Sequence, residues 1–484
     1  MIDRRNFLKA AGVTAAALAI DGCKSLKSPV ASAASAKRIV GANGKVNVAL
    51  IGIGHRGNEN AKMVAKTGLA NVVALCDVNL GAPHTLEIMA QFPEARQYKD
   101  FRKMFDEMHG IIEAVFVSTP DFSHFPICMR AIKEGIHVYC EKPLCRTFHE
   151  NQLLIDAAEK YPEVVTQMGN QGHSGEQYYQ FQDWMKAGLI KDVTKIVAHM
   201  NNDRRWHVLD PAITRFPEAE AVPETMDWDV WQMQTLHHDY THWFDEGNWR
   251  CWYDFGMGAL GDWGAHIFDT CHEFLKLGLP YEVSMKHVEG HNDYFFPMAS
   301  TIEFKFPRRG SMPACTMTWY DGIDNLPELP EGYGVSKVGD VPTVNGGELK
   351  KVKVNPGKEI YARDFIFKGA SHSSPLSIVP EELQKQMEAE HRIPDPVPED
   401  SPVRLKWSHH TNFLEACMGK AKAHSPFEIA GELAQLQNLG VIAQRLNTSF
   451  KFDRNTKEIV DNPFANAMLT GIPPRKGWED YYIL

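Results

Sequence analysis

The stretch VNVALIGIGHRG, residues 46–57, joins an apolar run to a glycine turn. Val46 to Ile51 is nearly continuous in its hydrophobicity, as a strand buried on both faces of a parallel sheet should be. It closes on Gly52-Ile53-Gly54-His55-Arg56-Gly57, a GxGxxG turn set where a helical pattern begins. Each glycine has a physical task. Gly52 permits the tight turn, Gly54 lets backbone approach a diphosphate, and Gly57 lets helix and strand pack closely. The helix N-terminus offers free N–H groups and a positive dipole end to that diphosphate. A second strand, Asn71 to Cys76, ends at Asp77, twenty residues past Gly57. Its carboxylate suits ribose hydroxyls and repels a 2′-phosphate, which favours NAD over NADP. Gly52, Gly54, His55, Arg56, Gly57 and Asp77 are the first cofactor-binding candidates.

Outward from this turn, strand and helix alternate. Helices near 81–91 and 100–108 precede a strand at Ala114–Thr119, and a helix at 123–134 precedes the strand from His137. A further helix covers 147–160. This spacing predicts right-handed crossovers and a Rossmann-type, doubly wound parallel sheet over residues 37–165. Beyond about residue 165 tryptophan, histidine and proline become dense, and stretches such as Ser300-TIEFKF alternate as antiparallel strands do. Residues 166–484 therefore read as a larger α+β domain with an open, mostly antiparallel sheet. Within it a Pro/Gly/Glu-rich section at about 325–400 is expected to form long surface loops. Two helical patterns, Thr411-NFLEACMGK and Glu428-IAGELAQLQNLGVIAQRL, close the chain.

The first 36 residues belong to neither domain. Arg4-Arg5-Asn6-Phe7-Leu8-Lys9 precedes a short apolar run from Ala10 to Ile20, too short to span a bilayer. The pattern is that of an export signal and resembles the twin-arginine (Tat) motif, although Asp3 stands where Ser or Thr is usual. Two processing routes fit. Ala-Ser-Ala at 31–33 and 34–36 matches a small-residue cleavage site, and Ile20-Asp21-Gly22-Cys23 matches a lipoprotein box with Cys23 acylated. A periplasmic protein, lipid-anchored in the second case, is the expectation. Without residues 1–36 the chain carries 46 basic and 59 acidic residues, a balance that argues against nucleic acid or anionic membranes as partners. The nine cysteines form no CxxC pair and read mainly as buried thiols.

Two further motifs carry chemistry. Glu141-Lys142-Pro143 ends a strand of the parallel sheet, and ligands of such sheets bind beyond the carboxyl ends of strands. An ammonium at Lys142 is thus placed to hydrogen-bond a substrate hydroxyl and stabilise the alkoxide formed as hydride leaves. GMGALGDWGAHIFDT, residues 256–270, sets Asp262 and His266 four apart, on one face of a helix. Three readings are open: acid–base chemistry, a helix cap at Asp262, or half of a metal site completed by His272 or Glu273. No HExxH-like cluster supports the metal, and none is expected.

Together these residues resemble the Gfo/Idh/MocA family of NAD(P)-dependent oxidoreductases. The resemblance rests on the GxGxxG start, Ser118-Thr119-Pro120 with His124, Glu141-Lys142-Pro143 and the turn to Asp262 and His266. Exported bacterial members are the most similar, through DWDxW (Asp227 to Trp231), WRxWxDFGxGALGDWGxH (Trp249 to His266) and a late NFLEAC helix. It implies cofactor contacts from Thr119, Pro120, His124, Glu141 and Lys142, and a catalytic set of Lys142, Asp262 and His266. In that set His266 takes the hydroxyl proton, with Asp262 orienting it or sharing the proton. It also implies a homo-oligomer.

The aromatic-rich segment from Trp228 to Tyr253 suits sugar rings, although most of its tryptophans fit a core equally well. Asn170, Gln171, His173, Arg205, Trp206, His238 and Tyr240 are the substrate-pocket candidates. An exported dehydrogenase must keep its NAD and recycle it in place. The expected function is hydride transfer between held NAD and a sugar or glycoside hydroxyl, with the third ring carbon as one position. The alternatives are a redox-neutral glycosidase working by oxidation, elimination, addition and reduction, and a non-catalytic sugar-binding protein.

Overall fold

The computed structural model describes residues 44–333, 354–372, 374–397 and 408–484, with the backbone of 344–345 and 348–349. The export signal at 1–36, Cys23 included, lies outside the described residues.

Six strands form the N-terminal sheet: β1 (Val46–Ile51), β2 (Ala70–Cys76), β3 (Arg96–Tyr98), β4 (Ala114–Val117), β5 (His137–Cys140) and β6 (Thr166–Met168). All pairings are parallel and the order is β3-β2-β1-β4-β5-β6, the Rossmann arrangement. Helices α1 (His55–Thr67), α2 (Pro83–Gln91), α3 (Phe101–Glu107), α4 (His124–Lys133) and α5 (Phe148–Lys160) connect its strands. Thr147 and Glu150 cap α5 reciprocally, which fixes where the chain turns after the Lys142 loop. The sheet extends past the expected boundary at 165, because β6 pairs with β5.

The second domain contributes α6 (Glu176–Lys186), β7 (Lys195–Met200), α7 (Trp228–Gln232), α8 (Gly258–Ile267), α9 (Asp269–Phe274), β8 (Glu282–Glu289), β9 (Ala299–Phe306) and β10 (Cys315–Asp321). A short ribbon, β11 (Val344–Asn345) with β12 (Glu348–Leu349), precedes β13 (Gly357–Tyr361), β14 (Ile366–Ala370), β15 (Ser377–Val379) and α10 (Glu381–Ala389). The chain ends in α11 (His409–Cys417), α12 (Phe427–Leu446), β16 (Phe450–Asp453), β17 (Glu458–Ile459) and α13 (Pro463–Thr470). Nine of these strands build one sheet in the order β15-β14-β13-β7-β10-β9-β8-β16-β17, antiparallel except between β10 and β7.

The expectation of loops over 325–400 is corrected here. Its described part supplies β13, β14 and β15 at one end of that sheet, and the helix α10. The strands escape sequence reading because glycine and lysine interrupt them. Lys358 is fully buried, its Nζ 2.8 Å from Gln177 Oε1 and 2.9 Å from the Ile267 carbonyl. A hydrogen-bonded buried ammonium looks, in sequence, like a surface residue.

One large core runs beneath both domains, and a second fills the face of the Rossmann sheet covered by α1 and α11. Phe413, Leu414 and Cys417 of α11 pack there against Val48, Phe116 and Tyr139, so the late NFLEAC helix braces the nucleotide domain. All eight described cysteines are buried free thiols.

Candidate active site

The glycine turn forms the cradle expected of it. Gly52 has φ +74°, and a Cβ there would lie 2.8 Å from the Ser118 backbone. A Cβ on Gly57 would lie 1.9 Å from the Gly52 carbonyl oxygen, so only glycine lets α1 start so close to β1. No side chain caps α1, which leaves its N-terminal N–H groups for an anion. The position beside Gly54 is roofed by His84, 2.5 Å from where a Cβ would stand, and His84 packs on His55 with ring centroids 4.6 Å apart. Asp77 Oδ2 accepts from the Ile53 N–H at 2.9 Å, and Oδ1 from Asn79 at 2.9 Å. Burial raises its carboxyl despite both bonds. The cradle, free helix end and oriented carboxylate fit an NAD whose ribose carries no 2′-phosphate.

Glu141 is the hub between cradle and chemistry. Its buried Oε1 accepts from Arg56 Nε at 3.0 Å, Asn60 Nδ2 at 2.9 Å and Gln171 Nε2 at 3.2 Å. Burial alone would raise this carboxyl, but Arg56, with Asn60 and Lys142, holds it below its ordinary value. His124 ties the two loops at the strand ends. Its Nε2 lies 2.8 Å from the Thr119 carbonyl and its Nδ1 3.0 Å from that of Pro143. Pro120 begins the turn that delivers His124, and the Lys142–Pro143 bond is cis.

Lys142, Asp262 and His266 come together where α8 meets the end of β5. Helix α8 starts at Gly258, so Asp262 lies a full turn inside and caps nothing, which removes the capping reading. Lys142 Nζ sits 2.6 Å from Asp262 Oδ1 and 2.8 Å from the Asp262 carbonyl. The other oxygen, Oδ2, takes Nη2 of Arg204, and Arg250 Nη1 lies 3.5 Å from Oδ1. Burial would raise the Asp262 carboxyl, yet Lys142, Arg250 and Arg204 hold it well below the carboxylate range. Asp262 is therefore a fixed anion that gathers three cations. His266 is buried and its Nδ1 has no hydrogen-bond partner among the described residues. Burial, reinforced by Lys142 and His372, pushes the imidazole well below its ordinary value, so the ring is neutral near pH 7.

The expected partners of a metal at this helix are engaged elsewhere. His272 Nε2 lies 3.1 Å from the Gly278 carbonyl, and Glu273 Oε2 lies 2.6 Å from His173 Nε2. Among the described residues no group of three or more His, Cys, Asp or Glu side chains is arranged to hold a metal ion.

The pocket candidates separate into groups. Gln171 reaches Glu141 and belongs to the hub. Asn170 and His173 join Asp269 in a buried cluster, at 2.9 and 2.5 Å from its Oδ1. Trp206 is buried, donating to the Pro297 carbonyl at 3.1 Å. His238 and Tyr240 enter the aromatic core around Trp228 and Phe244, with His238 Nε2 3.2 Å from Asp254. Arg205 lies against Gly247, while its neighbour Arg204 reaches Asp262.

Four residues that complete the site were absent from the sequence expectations: Arg204, Arg250, Asp121 and His372. Asp121 Oδ2 accepts from the Met257 N–H at 3.2 Å and its Oδ1 lies 3.4 Å from Arg250, which fixes the turn into α8. His372, between β14 and β15, stacks on His266 with centroids 3.9 Å apart and planes 21° apart, and meets Trp263 edge-on. Its carbonyl lies 2.8 Å from where a Cβ on Gly172 would stand, so that glycine admits the loop. Arg250 sat within the WRxW motif; nothing in the sequence near His372 marked it.

Comparison with known proteins agrees with the Rossmann fold of the first domain. Residues 46–168 match the family described as "Oxidoreductase family, NAD-binding Rossmann fold" (GFO_IDH_MocA), and residues 1–20 match the twin-arginine translocation pathway signal sequence. A glycosyl hydrolase family 109 protein of Shewanella pealeana is 26% identical over 221 residues, 43% of this chain and 48% of that protein. An inositol 2-dehydrogenase/D-chiro-inositol 3-dehydrogenase of Lactiplantibacillus plantarum is 30% identical over 202 residues, 40% of this chain and 53% of that protein. The chain thus spans about half the length of the curated relatives it matches. In fold it is similar to a levoglucosan dehydrogenase solved with NADH and L-sorbose, at TM-score 0.54 and 15% identity, covering 84% of this chain and 98% of that one. Over residues 46–168, its NAD-binding Rossmann domain, the chain matches the Gfo/Idh/MocA oxidoreductase family.

Proposed function

We propose that this protein oxidises a hydroxyl of a sugar or glycoside to a ketone, using an NAD that stays bound and is recycled in place by returning the hydride to a second, keto-sugar substrate. The observation that carries the reading is the Lys142–Asp262 pair beside a neutral, buried His266, at the carboxyl edge of the Rossmann sheet. NAD, held by the Gly52–Gly57 turn and Asp77, supplies the hydride acceptor. Two of the three ammonium donors of Lys142 are fixed by Asp262, and the third is left for a substrate oxygen. That contact stabilises the alkoxide. His266, neutral and lacking a partner at Nδ1, receives the hydroxyl proton. Asp262 holds the ammonium in place, and as a fixed anion it is the group that orients Lys142 rather than the one that takes the proton.

The twin-arginine signal at residues 1–20 favours a cofactor retained from the cytoplasm, because that route carries folded proteins. A periplasmic location, a lipid tether at Cys23 and a homo-oligomer belong to the same proposal. Intact mass of the exported protein tests the tether and light scattering the assembly.

A glycosyl hydrolase family 109 relative keeps the redox-neutral glycosidase as a second reading. Product analysis on a panel of glycosides separates the two. A ketone with the glycosidic bond intact supports oxidoreduction; a released aglycone supports the hydrolase; no turnover of any sugar contradicts both.

A further inference from the structure

Behind the catalytic loops lies a small recess of about 40 Å³ that opens to solvent between the start of α5 and the last turns of α12. Neither Lys142, Asp262 nor His266 lines it. Its polar lining is Arg146, Tyr253, Asn438 and Arg445, with Thr147, whose hydroxyl already caps α5. Two arginines thus converge on one tyrosine. Arg146 Nη1 lies 3.5 Å from the Tyr253 carbonyl, and the Arg445 guanidinium lies over the Tyr253 ring, 5.2 Å from its centroid. The carboxylate within ion-pair reach is Asp254, 3.6 Å from Arg445 and shared with His238 at 3.2 Å.

The donors there exceed what the protein itself satisfies. Tyr253 is 2% exposed and its hydroxyl has no hydrogen-bond partner among the described residues. The Nε of Arg146 is likewise buried without a partner. Buried donors left without an acceptor are costly, and among the described residues Asp254 is the one carboxylate within 4 Å of either guanidinium, divided between Arg445 and His238. Arginine forks and a phenol are donors suited to a tetrahedral oxyanion.

We propose that this recess is a binding site for a small phosphate-class oxyanion, held by Arg146, Arg445 and the Tyr253 hydroxyl. The site is joined to the catalytic loops. Arg146 lies four residues past Lys142, and Tyr253 lies in the segment leading to Asp262. Asn438 Nδ2 donates to the Arg146 carbonyl at 2.9 Å and approaches Met257 Sδ at 3.5 Å, so it touches both segments. An anion there braces the two loops that bring Lys142 to Asp262, and acts as an effector rather than a substrate.

Calorimetric titration of the full-length mature protein with inorganic phosphate, against chloride at matched ionic strength, tests the site. Saturable binding is expected, weakened about tenfold or more in Arg445→Gln and in Tyr253→Phe, which removes only the hydroxyl. Bound nucleotide content should be the same in Tyr253→Phe as in the parent, which keeps this result separate from the NAD reading. Saturation that raises turnover of a sugar substrate without displacing it identifies an effector. No phosphate binding overturns the proposal. So does binding of equal strength in both variants, which means an adventitious ion only.

Discussion

Lys142 and Arg204 divide the carboxylate of Asp262 between them, the ammonium on Oδ1 and the guanidinium on Oδ2. Asp262→Asn keeps the shape and removes the charge that gathers these cations. The turnover number is expected to fall by about 10²–10³, with circular dichroism unchanged, as for loss of a preorganised electrostatic contact. A turnover number within about twofold of the parent would mean that Lys142 holds its place without Asp262.

In the proposed reaction His266 acts as a neutral ring. Its neighbours are Lys142, His372 and Arg56, which lower its pKa, and Asp262, which opposes them. The acid limb of kcat/KM is therefore expected well below the ordinary imidazole value of about 6.5. The rate should stay flat from pH 7 to about pH 6, where an unperturbed histidine would already be mostly charged. A midpoint near 6.5 in the pH–rate profile would contradict this.

His372 adds to that depression and covers one face of the His266 ring. In His372→Ala the acid limb should move upward in pH, and kcat should fall about tenfold as the ring gains freedom. His372→Phe restores the stacking surface and should recover kcat while the acid limb stays raised. A purely structural role would leave the limb where it was.

The glycines of the cradle differ in cost. Gly57→Ala drives a methyl group to 1.9 Å from a backbone carbonyl, which cannot move cheaply; Gly54→Ala meets only the His84 side chain. Gly57→Ala should lose nucleotide binding altogether or fail to fold, whereas Gly54→Ala should fold and bind NAD more weakly. Equal NAD affinity in parent and Gly57→Ala, by fluorescence titration, would show that the cradle is not the nucleotide site.

His410, on the helix that braces the Rossmann sheet, donates from Nε2 to Asn60 Oδ1, 3.0 Å away. Burial lowers its pKa to about 4 from 6.5, with Arg56 assisting and Glu141 opposing. Between those values the unfolded chain binds a proton that the folded chain refuses. Stability thus rises with pH through this window and is lost as pH falls from about 6.5 to about 4, by about 3 kcal/mol for this residue. Denaturant unfolding at several pH values should show a shallower slope in His410→Gln. An unchanged slope would mean that His410 does not titrate on unfolding.

The Rossmann half was legible because its signals are local: apolar strands, a glycine turn and an acidic residue at fixed spacing. Lys142, Asp262 and His266 were singled out together only through the resemblance their motifs carry, and the fold brings the three near one another at the end of β5. What escaped depends on long-range packing. Arg204 and Arg205 are indistinguishable in sequence, and the backbone after β7 decides which one points at Asp262. His372 reaches His266 only because β13 and β14 extend the second sheet, and those strands were hidden by Lys358 and by glycines. His238 and Tyr240 carry polar atoms that suit a pocket, but their rings pack among Trp228, Phe244 and Phe255.

The central claim is a retained NAD reduced by a sugar hydroxyl at Lys142. The most direct measurement is to purify the mature protein, denature it, identify released nucleotide by mass, and scan the intact protein for the reduced-nicotinamide absorbance band as sugars are added. The account predicts about one NAD per chain and a band that grows with one class of sugar in the parent but not in Lys142→Met. Protein that holds no nucleotide, binds none when NAD is supplied and shows no band with any sugar would contradict it.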